Sequence, residues 1–174
     1  MIRKQKGFTL IELMVVVAII GILATLTGVN MATGLPKYRV KNCSRDMSSN
    51  LRKARSTAIK LQRNVTVSFD LANNRYVVDG KPVPADRSGV PRNFSAYYGS
   101  KVSYGPGNSG QGDFVTFAGD WVTFNSRGIA SDANGVLANE SAVYLENNKD
   151  DAYRVILITS GRIRVQHWVG GTWQ

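Results

Sequence analysis

The segment KGFTLIELMVVVAIIGILATLTGV, residues 6–29, decides how this chain begins to fold. No charged residue occurs from Leu13 to Val29, and the apolar run extends back to Phe8, interrupted only by Thr9 and Glu12. A helix of these 22 residues would be about 33 Å long, which is enough to cross the hydrocarbon core of a bilayer. The pattern therefore predicts a transmembrane helix over residues 8–30.

A basic leader, residues 1–7, precedes this run and contains Arg3, Lys4 and Lys6. A secretory signal peptide also begins with basic residues, but its apolar region is typically only about 7–15 residues long and ends at a small-x-small cleavage site. The run here is longer and lacks a convincing site of that kind. A plain signal anchor is the remaining alternative from composition alone.

The order of Lys6, Gly7, Phe8 and Glu12 resembles the class III signal of type IV pilins and pseudopilins. The resemblance implies that a prepilin peptidase cleaves between Gly7 and Phe8 and methylates the new N-terminus at Phe8. The apolar helix would then be kept, first as an inner-membrane tether with the head in the periplasm, and later in a pilus or pseudopilus.

Glu12 is the fifth residue after the implied cut, the position at which this family has its glutamate. An unpaired carboxylate at membrane depth costs about 2.5–3.5 kcal/mol, so Glu12 is expected to have a partner. The α-amine of a neighbouring subunit's Phe8 would supply one, which makes Glu12 and Phe8 the expected assembly residues. The alternative is that Glu12 extends to the membrane interface near the helix end.

Composition limits the function of the rest of the chain. The net charge is +10 over 174 residues, but residues 37–63 carry +8 and residues 64–174 are neutral, which disfavours a general nucleic-acid-binding head. One cysteine, Cys43, and one histidine, His167, exclude a disulfide framework and leave little for metal binding or catalysis. We expect no enzyme, no catalytic residue, no metal and no cofactor.

Residues 31–63 are predicted to form an amphipathic helix. Apolar or small residues recur at spacings of three and four, while most Lys and Arg residues lie off this stripe. The stripe comprises Val40, Cys43, Met47, Leu51, Ala54, Ala58 and Leu61. We expect it to pack on a sheet, with Cys43 in the core, while the basic face remains available to anionic lipid headgroups or acidic subunit surfaces.

After Asn64 the apolar pattern changes to a period of two, which indicates a β-rich head over residues 64–174. The predicted strands cover residues 65–69, 75–79, 114–117, 121–124, 142–146, 153–159 and 163–169. Residues 81–113 are expected to form a long irregular connection with a short strand around 94–98. The fold class is therefore α+β, a long N-terminal helix packed on an antiparallel sheet in the ladle shape of pilins.

The head segments resemble, in the same order, those of the GspH/FimT (FimU-like) group of minor pilins and pseudopilins. The segments are VTVSFD, residues 65–70, VTFNSRGIA, residues 122–130, and YRVILITSGRIRV, residues 153–165. The resemblance implies a minor pilin that primes assembly of a type IV pilus, at its tip, with other pilin subunits as partners. A GspH-like minor pseudopilin of type II secretion is the alternative.

Two glycine-containing motifs match binding sites by letter only. Residues 105–110, GPGNSG, lack the strand, helix and acidic residue of a dinucleotide site, so a flexible loop is expected. Residues 132–135, DANG, lack the distal glutamate of a calcium loop.

Gly161-Arg162-Ile163-Arg164 is the motif in the head with the clearest binding chemistry. Arg162 lies in the predicted turn and Arg164 two residues further along, on the predicted strand, so the two should share one face. A similar motif takes part in DNA uptake in some FimT-like proteins, so this resemblance implies a DNA-binding alternative, which Arg127, Arg154, Trp168 and Trp173 would enlarge. The competing interpretation is that the arginines are merely exposed, or paired with Glu146, Asp150 or Asp151.

Overall fold

The computed structural model of the chain describes residues 7–99, 101–110, 112–137, 140–147 and 151–174; the side chains of residues 26–33 lie outside this description. Within these ranges, one long helix, α1, is followed by ten strands and one short α-helix, α2. The helices are α1 (Leu10–Leu61) and α2 (Phe94–Tyr98). The strands are β1 (Val65–Asp70), β2 (Arg75–Val78), β3 (Lys81–Val83), β4 (Ser103–Tyr104), β5 (Trp121–Phe124), β6 (Ala130–Ser131), β7 (Ser141–Glu146), β8 (Ala152–Leu157), β9 (Ile163–Val169) and β10 (Thr172–Trp173).

The chain divides into two compact units, Met1–Leu35 and Pro36–Gln174. In the first unit, every described side chain from Phe8 to Thr25 is exposed, although most of these residues are apolar. No helix among the described residues has an apolar stretch long enough to cross a membrane. The transmembrane helix expected over residues 8–30 extends into residues 26–30, whose side chains are not described.

The second unit contains two antiparallel five-stranded sheets. The first has the order β3-β2-β1-β5-β6 and the second β10-β9-β8-β7-β4. Buried residues of both sheets and of α1 belong to one hydrophobic cluster, which includes Met47, Val67 and Val155. This confirms the predicted α+β class, with the single expected sheet resolved into two.

The apolar stripe of α1 forms the helical side of this core, as its spacing predicts. The first six stripe residues are at most 2% exposed: Val40, Cys43, Met47, Leu51, Ala54 and Ala58. Leu61 differs, with 52% of its surface exposed, because the helix ends at that residue.

The strand pattern was wrong in two places. Residues 94–98 form α2 because Asn93 caps a helical turn, its side chain accepting a hydrogen bond from the Ala96 N–H, while Phe94 is fully buried. Residues 114–117 make only a single bridge, Val115 to Val143, instead of a strand. The expected irregular connection over 81–113 also contains β3 and β4.

Candidate assembly site and the basic face of the second sheet

Gly7, Phe8 and Glu12 lie at the start of α1, where the chain enters its first helical turn. Gly7 and Phe8 precede the helix, and Phe8 is 76% exposed. Thr9 caps the helix: its Oγ1 accepts a hydrogen bond of 3.3 Å from the Glu12 N–H, and its carbonyl accepts one of 3.2 Å from the Leu13 N–H. The exposed backbone at Gly7 and Phe8 therefore lies next to an ordered first turn that contains Glu12.

Glu12 is the third residue of α1, so Thr9-x-x-Glu12 has the spacing of a capping box. A carboxylate in the first helical turn also interacts favourably with the positive end of the helix dipole. This local role for Glu12 was missed by the sequence analysis, although the spacing was available in the sequence. The structure thus shows the Glu12 N–H bonded to Thr9 and the carboxylate in the first helical turn, while the expected pairing with Phe8 is not tested by the structure of one chain.

Arg162 and Arg164 lie where the sequence predicted them, at the turn between β8 and β9 and on β9. Register pairs Arg164 with Ile156, and the Ile158 N–H donates to the Arg162 carbonyl at 3.2 Å. Both arginine side chains are exposed, and within the described part of the chain neither guanidinium has a hydrogen-bond or ion-pair partner. Two unpaired cations therefore lie side by side on one face of the second sheet.

The acidic partners considered for these arginines are engaged elsewhere. The Glu146 Oε2 accepts a hydrogen bond of 2.9 Å from the Gly107 N–H, and the Asp151 carboxylate accepts one from the Asn147 side chain at 3.0 Å. Asp150 lies outside the described residues. The interpretation that fits the described residues is the one in which Arg162 and Arg164 are exposed and unpaired.

The larger basic patch expected around the motif is only partly available. Arg154 is 14% exposed: it donates to Gln166 at 2.9 Å, lies 3.7 Å from Glu140, and stacks 4.7 Å from the centre of the Trp173 ring. Trp168 and Trp173 are half-buried and pack against each other, with ring centres 5.2 Å apart. Arg127 is exposed in the turn before β6.

Two arginines of the basic face of α1 also bond to backbone carbonyls of the head. The Arg55 Nε donates to the Gly128 carbonyl at 3.0 Å and its second guanidinium nitrogen to the Ser160 carbonyl at 3.2 Å, while Arg52 donates to the Ile163 carbonyl at 3.0 Å. Arg55 therefore joins α1 to two turns, one from each sheet. The basic face available to lipids or other subunits is correspondingly smaller than expected.

Gly161 is required by this contact. Its φ is +77°, and a Cβ there would lie 2.5 Å from the Gly128 carbonyl oxygen and against the Arg55 side chain. The glycine of the Gly161-Arg162-Ile163-Arg164 motif thus has a structural explanation that is independent of any ligand.

In both glycine-containing motifs, a carboxylate of the chain itself accepts hydrogen bonds from backbone N–H groups. Glu146 occupies the loop of residues 105–110 through the Gly107 N–H, and Asp132 is buried, accepting from the Ala118 and Asn134 N–H groups at 3.0 and 2.9 Å. Among the described residues, no group of His, Cys, Asp or Glu side chains is arranged to hold a metal ion.

Cys43 and His167 have packing roles in the structure. Burial and, secondarily, the nearby Asp46 carboxylate raise the pKa of the Cys43 thiol, which fits the expected core position. His167 stacks on Tyr153 with ring centres 4.4 Å apart. Its buried Nε2 has no hydrogen-bond partner among the residues that the structure describes and lies 3.8 Å from Asp151 Oδ1. Burial, assisted by Lys37 and Lys41 and opposed by Asp151, lowers the pKa of His167.

A capped apolar helix start with the Gly7-Phe8-Glu12 order, ahead of an α+β head, defines a type IV pilin-like subunit, and such subunits are structural proteins. Residues 2–28 match the family model of the prokaryotic N-terminal methylation motif. Residues 44–161, about two thirds of the chain, match the model described as type II transport protein GspH, so the chain belongs to the GspH family.

A curated relative supports the same assignment. A protein named "Fimbrial protein" from Moraxella nonliquefaciens is 37% identical over 84 residues, which cover 48% of this chain and 46% of that protein. The chain thus matches slightly less than half the length of this relative. No solved structure gives a significant match.

Proposed function

We propose that this chain is a minor pilin of a type IV pilus, tethered in the inner membrane by residues 8–30 and incorporated into the filament after processing. Prepilin peptidase cleaves between Gly7 and Phe8 and methylates Phe8, and the subunit helps to prime assembly at the filament tip. The observation that carries the proposal is the Gly7-Phe8-Glu12 order within a segment that matches the N-terminal methylation motif.

The structure supports the proposed chemistry in two ways. Gly7 and Phe8 are exposed and lie before the helix, where a peptidase has access to non-helical backbone. The apolar surface from Phe8 to Thr25 is exposed in the single chain and requires a lipid or protein environment, which an inner membrane and then a bundle of neighbouring helices supply. Glu12 pairs there with the Phe8 α-amine of a neighbouring subunit.

The test is mass spectrometry of the N-terminal peptide from chain recovered in sheared surface filaments. The expected peptide begins at Phe8 and is one methyl group heavier than the unmodified sequence. Gly7→Val should leave the leader attached and keep the chain out of filaments, because a branched side chain would then stand at the cleavage site. A filament-borne chain that still begins at Met1 would contradict the proposal.

A minor pseudopilin of type II secretion is the second candidate, and the description of the matched family favours it. The two functions share processing and assembly but differ in the machine. Deletion of the gene should reduce surface pili and twitching if the chain is a minor pilin. If it is a pseudopilin, pili should be normal while export of folded exoproteins fails.

DNA binding for uptake is supported only by the two unpaired guanidiniums of Arg162 and Arg164. Two phosphate contacts give weak binding that is lost as salt rises. The experiment in the next subsection includes DNA as a competing ligand for this surface.

A further inference from the structure

A shallow cleft lies on the face of the second sheet that carries Arg162 and Arg164. Its volume is about 190 Å³, and it is lined by Glu140, Ile156, Ile158, Arg162 and Arg164. We call it the arginine cleft. All five residues belong to the second unit.

Strand register explains why the cleft has an apolar floor beside a basic rim. Ile156 lies opposite Arg164, and Ile158 bonds to the Arg162 backbone, so two isoleucines on the β8 side adjoin two arginines on the β9 side. Side chains opposite each other on paired strands share a face. The surface therefore offers the half-buried Ile158 and the small exposed part of Ile156, which is 4% exposed, next to two positive charges.

The charge of the cleft is asymmetric. Arg162 and Arg164 have no partner in the described part of the chain, whereas Glu140, on the opposite rim, lies 3.7 Å from Arg154 and is 60% exposed. Guanidiniums bind carboxylates with two parallel hydrogen bonds, and these are among the stronger polar contacts in proteins. A carboxylate is thus the ligand group that the basic rim fits.

We propose that the arginine cleft docks an acidic peptide segment of a neighbouring subunit in the filament. An apolar side chain of that segment lies on Ile156 and Ile158, and a flanking Asp or Glu binds Arg162 and Arg164. This inference rests on the proposed function, because it presupposes a neighbouring subunit. It adds the surface and the chemistry by which the head selects its partner.

The same features disfavour nucleic acid as the occupant. Phosphates gain nothing from the Ile156 and Ile158 floor. The exposed Glu140 carboxylate repels a phosphate and a peptide carboxylate alike, so the apolar floor is what distinguishes the two occupants. The cleft offers only two unpaired guanidiniums, because Arg154 is held by Gln166, Glu140 and Trp173. A peptide uses both the floor and the rim, whereas a phosphate backbone uses only the rim.

The test measures fluorescence anisotropy of a labelled peptide with the core Gly-Asp-Leu-Asp-Gly, titrated at low salt with the full chain in detergent micelles. Matched peptides replace both Asp residues by Asn, or Leu by Gly. We expect the Asp-Leu-Asp peptide to bind at least about tenfold more tightly than either, because each replacement removes one half of the contact. The double variant Arg162→Ala, Arg164→Ala should lose the preference for the Asp peptide over the Asn peptide.

The control variant Arg87→Ala, Lys53→Ala removes the same charge from exposed positions away from the cleft and should bind as the unaltered chain does. Equal binding of the Asp and Asn peptides, no binding, or equal loss in the control variant would overturn the proposal. So would a short DNA duplex or single strand that binds the chain more tightly than the peptide and loses binding in the double variant.

Failure here is distinguishable from failure of the proposed function. The Glu12→Ala chain should bind the peptide normally, since Glu12 lies outside the second unit. If peptide binding fails while the chain still enters surface filaments with a methylated Phe8, only the cleft proposal is wrong.

Discussion

Glu12 has two possible roles, one within its own helical turn and one in contact with another subunit. Its N–H is bound by the Thr9 hydroxyl, and Thr9-x-x-Glu12 has the spacing of a capping box, which is a local helix-starting role. Its charge, on the fifth residue after the implied cut, is explained locally by the helix dipole and, at longer range, by a partner from another subunit. Glutamine also satisfies a capping box but carries no charge, so the two explanations are separable by a single substitution.

His167 gives a second prediction at the residue scale. Its pKa is lowered in the folded chain, so the unfolded chain binds the proton more tightly and protonation favours unfolding. Stability is therefore expected to fall as pH drops from about 6.5, the ordinary histidine value, through the folded pKa. Thermal unfolding of the full chain in detergent, followed by circular dichroism between about pH 8 and pH 5, measures this.

The chain has one histidine, so His167→Gln isolates its contribution. That variant should have a flatter profile over the same interval, with the acid-induced loss confined to lower pH. There the depressed pKa values of carboxylates such as Asp70, which is held by Asn73 and Arg75, control stability. An unchanged slope between pH 7 and pH 5 in His167→Gln would show that the burial of His167 has no such effect.

At the scale of elements, the local periodicity of the sequence predicts which residues of a helix are buried. It does not predict contacts between segments that are far apart in the chain. The stripe from Val40 to Ala58 is buried as its spacing requires, because a helical face repeats within the sequence itself. The bonds from Arg52 and Arg55 to the head are not predictable from the sequence, because their partners are backbone carbonyls 73 to 111 residues away, which no local pattern records. The sequence predicts a strand at residues 94–98, whereas the Asn93 side chain caps a helical turn there.

The turn between β8 and β9 carries the prediction at this scale. Gly161→Ala should destabilise the full chain by more than the left-handed backbone alone requires, since the added Cβ meets the Gly128 carbonyl oxygen at 2.5 Å. Gly135→Ala is the matched control: its φ is +87°, but a Cβ there meets nothing within 4 Å.

The control should cost about 1–2 kcal/mol, or about 2–8 °C in melting temperature, and Gly161→Ala clearly more. The measurement is thermal unfolding of both variants beside the unaltered chain. Equal losses in the two variants would contradict the close approach of the two turns and the role given to Arg55.

At the scale of the whole molecule, the α+β class and the family were predictable because their patterns are strong. The apolar N-terminal run, the helical stripe and the later alternation each indicate one element type, and the family matches agree with the order in which they occur. The division of the strands into two sheets, and the arginine cleft on one of them, depend on pairing between strands. The sequence does not state that pairing, so the cleft became visible only in the structure.

The proposed function joins these scales in one claim: the charge of Glu12, beyond its capping role, brings the subunit into the filament. The most direct measurement compares the unaltered chain, Glu12→Gln and Glu12→Ala in cells that make pili, quantifying each chain in sheared filaments and in membranes. All three chains should be cleaved after Gly7, because Glu12 is not part of the cleaved Gly7-Phe8 bond.

Both variants should fall about tenfold or more in filaments relative to membranes, because neither supplies a carboxylate for the Phe8 amine, and a pairing worth about 1.4 kcal/mol changes an equilibrium by that factor. If Glu12→Gln enters filaments as the unaltered chain does while Glu12→Ala does not, the capping box is sufficient and the charge-pairing account is wrong.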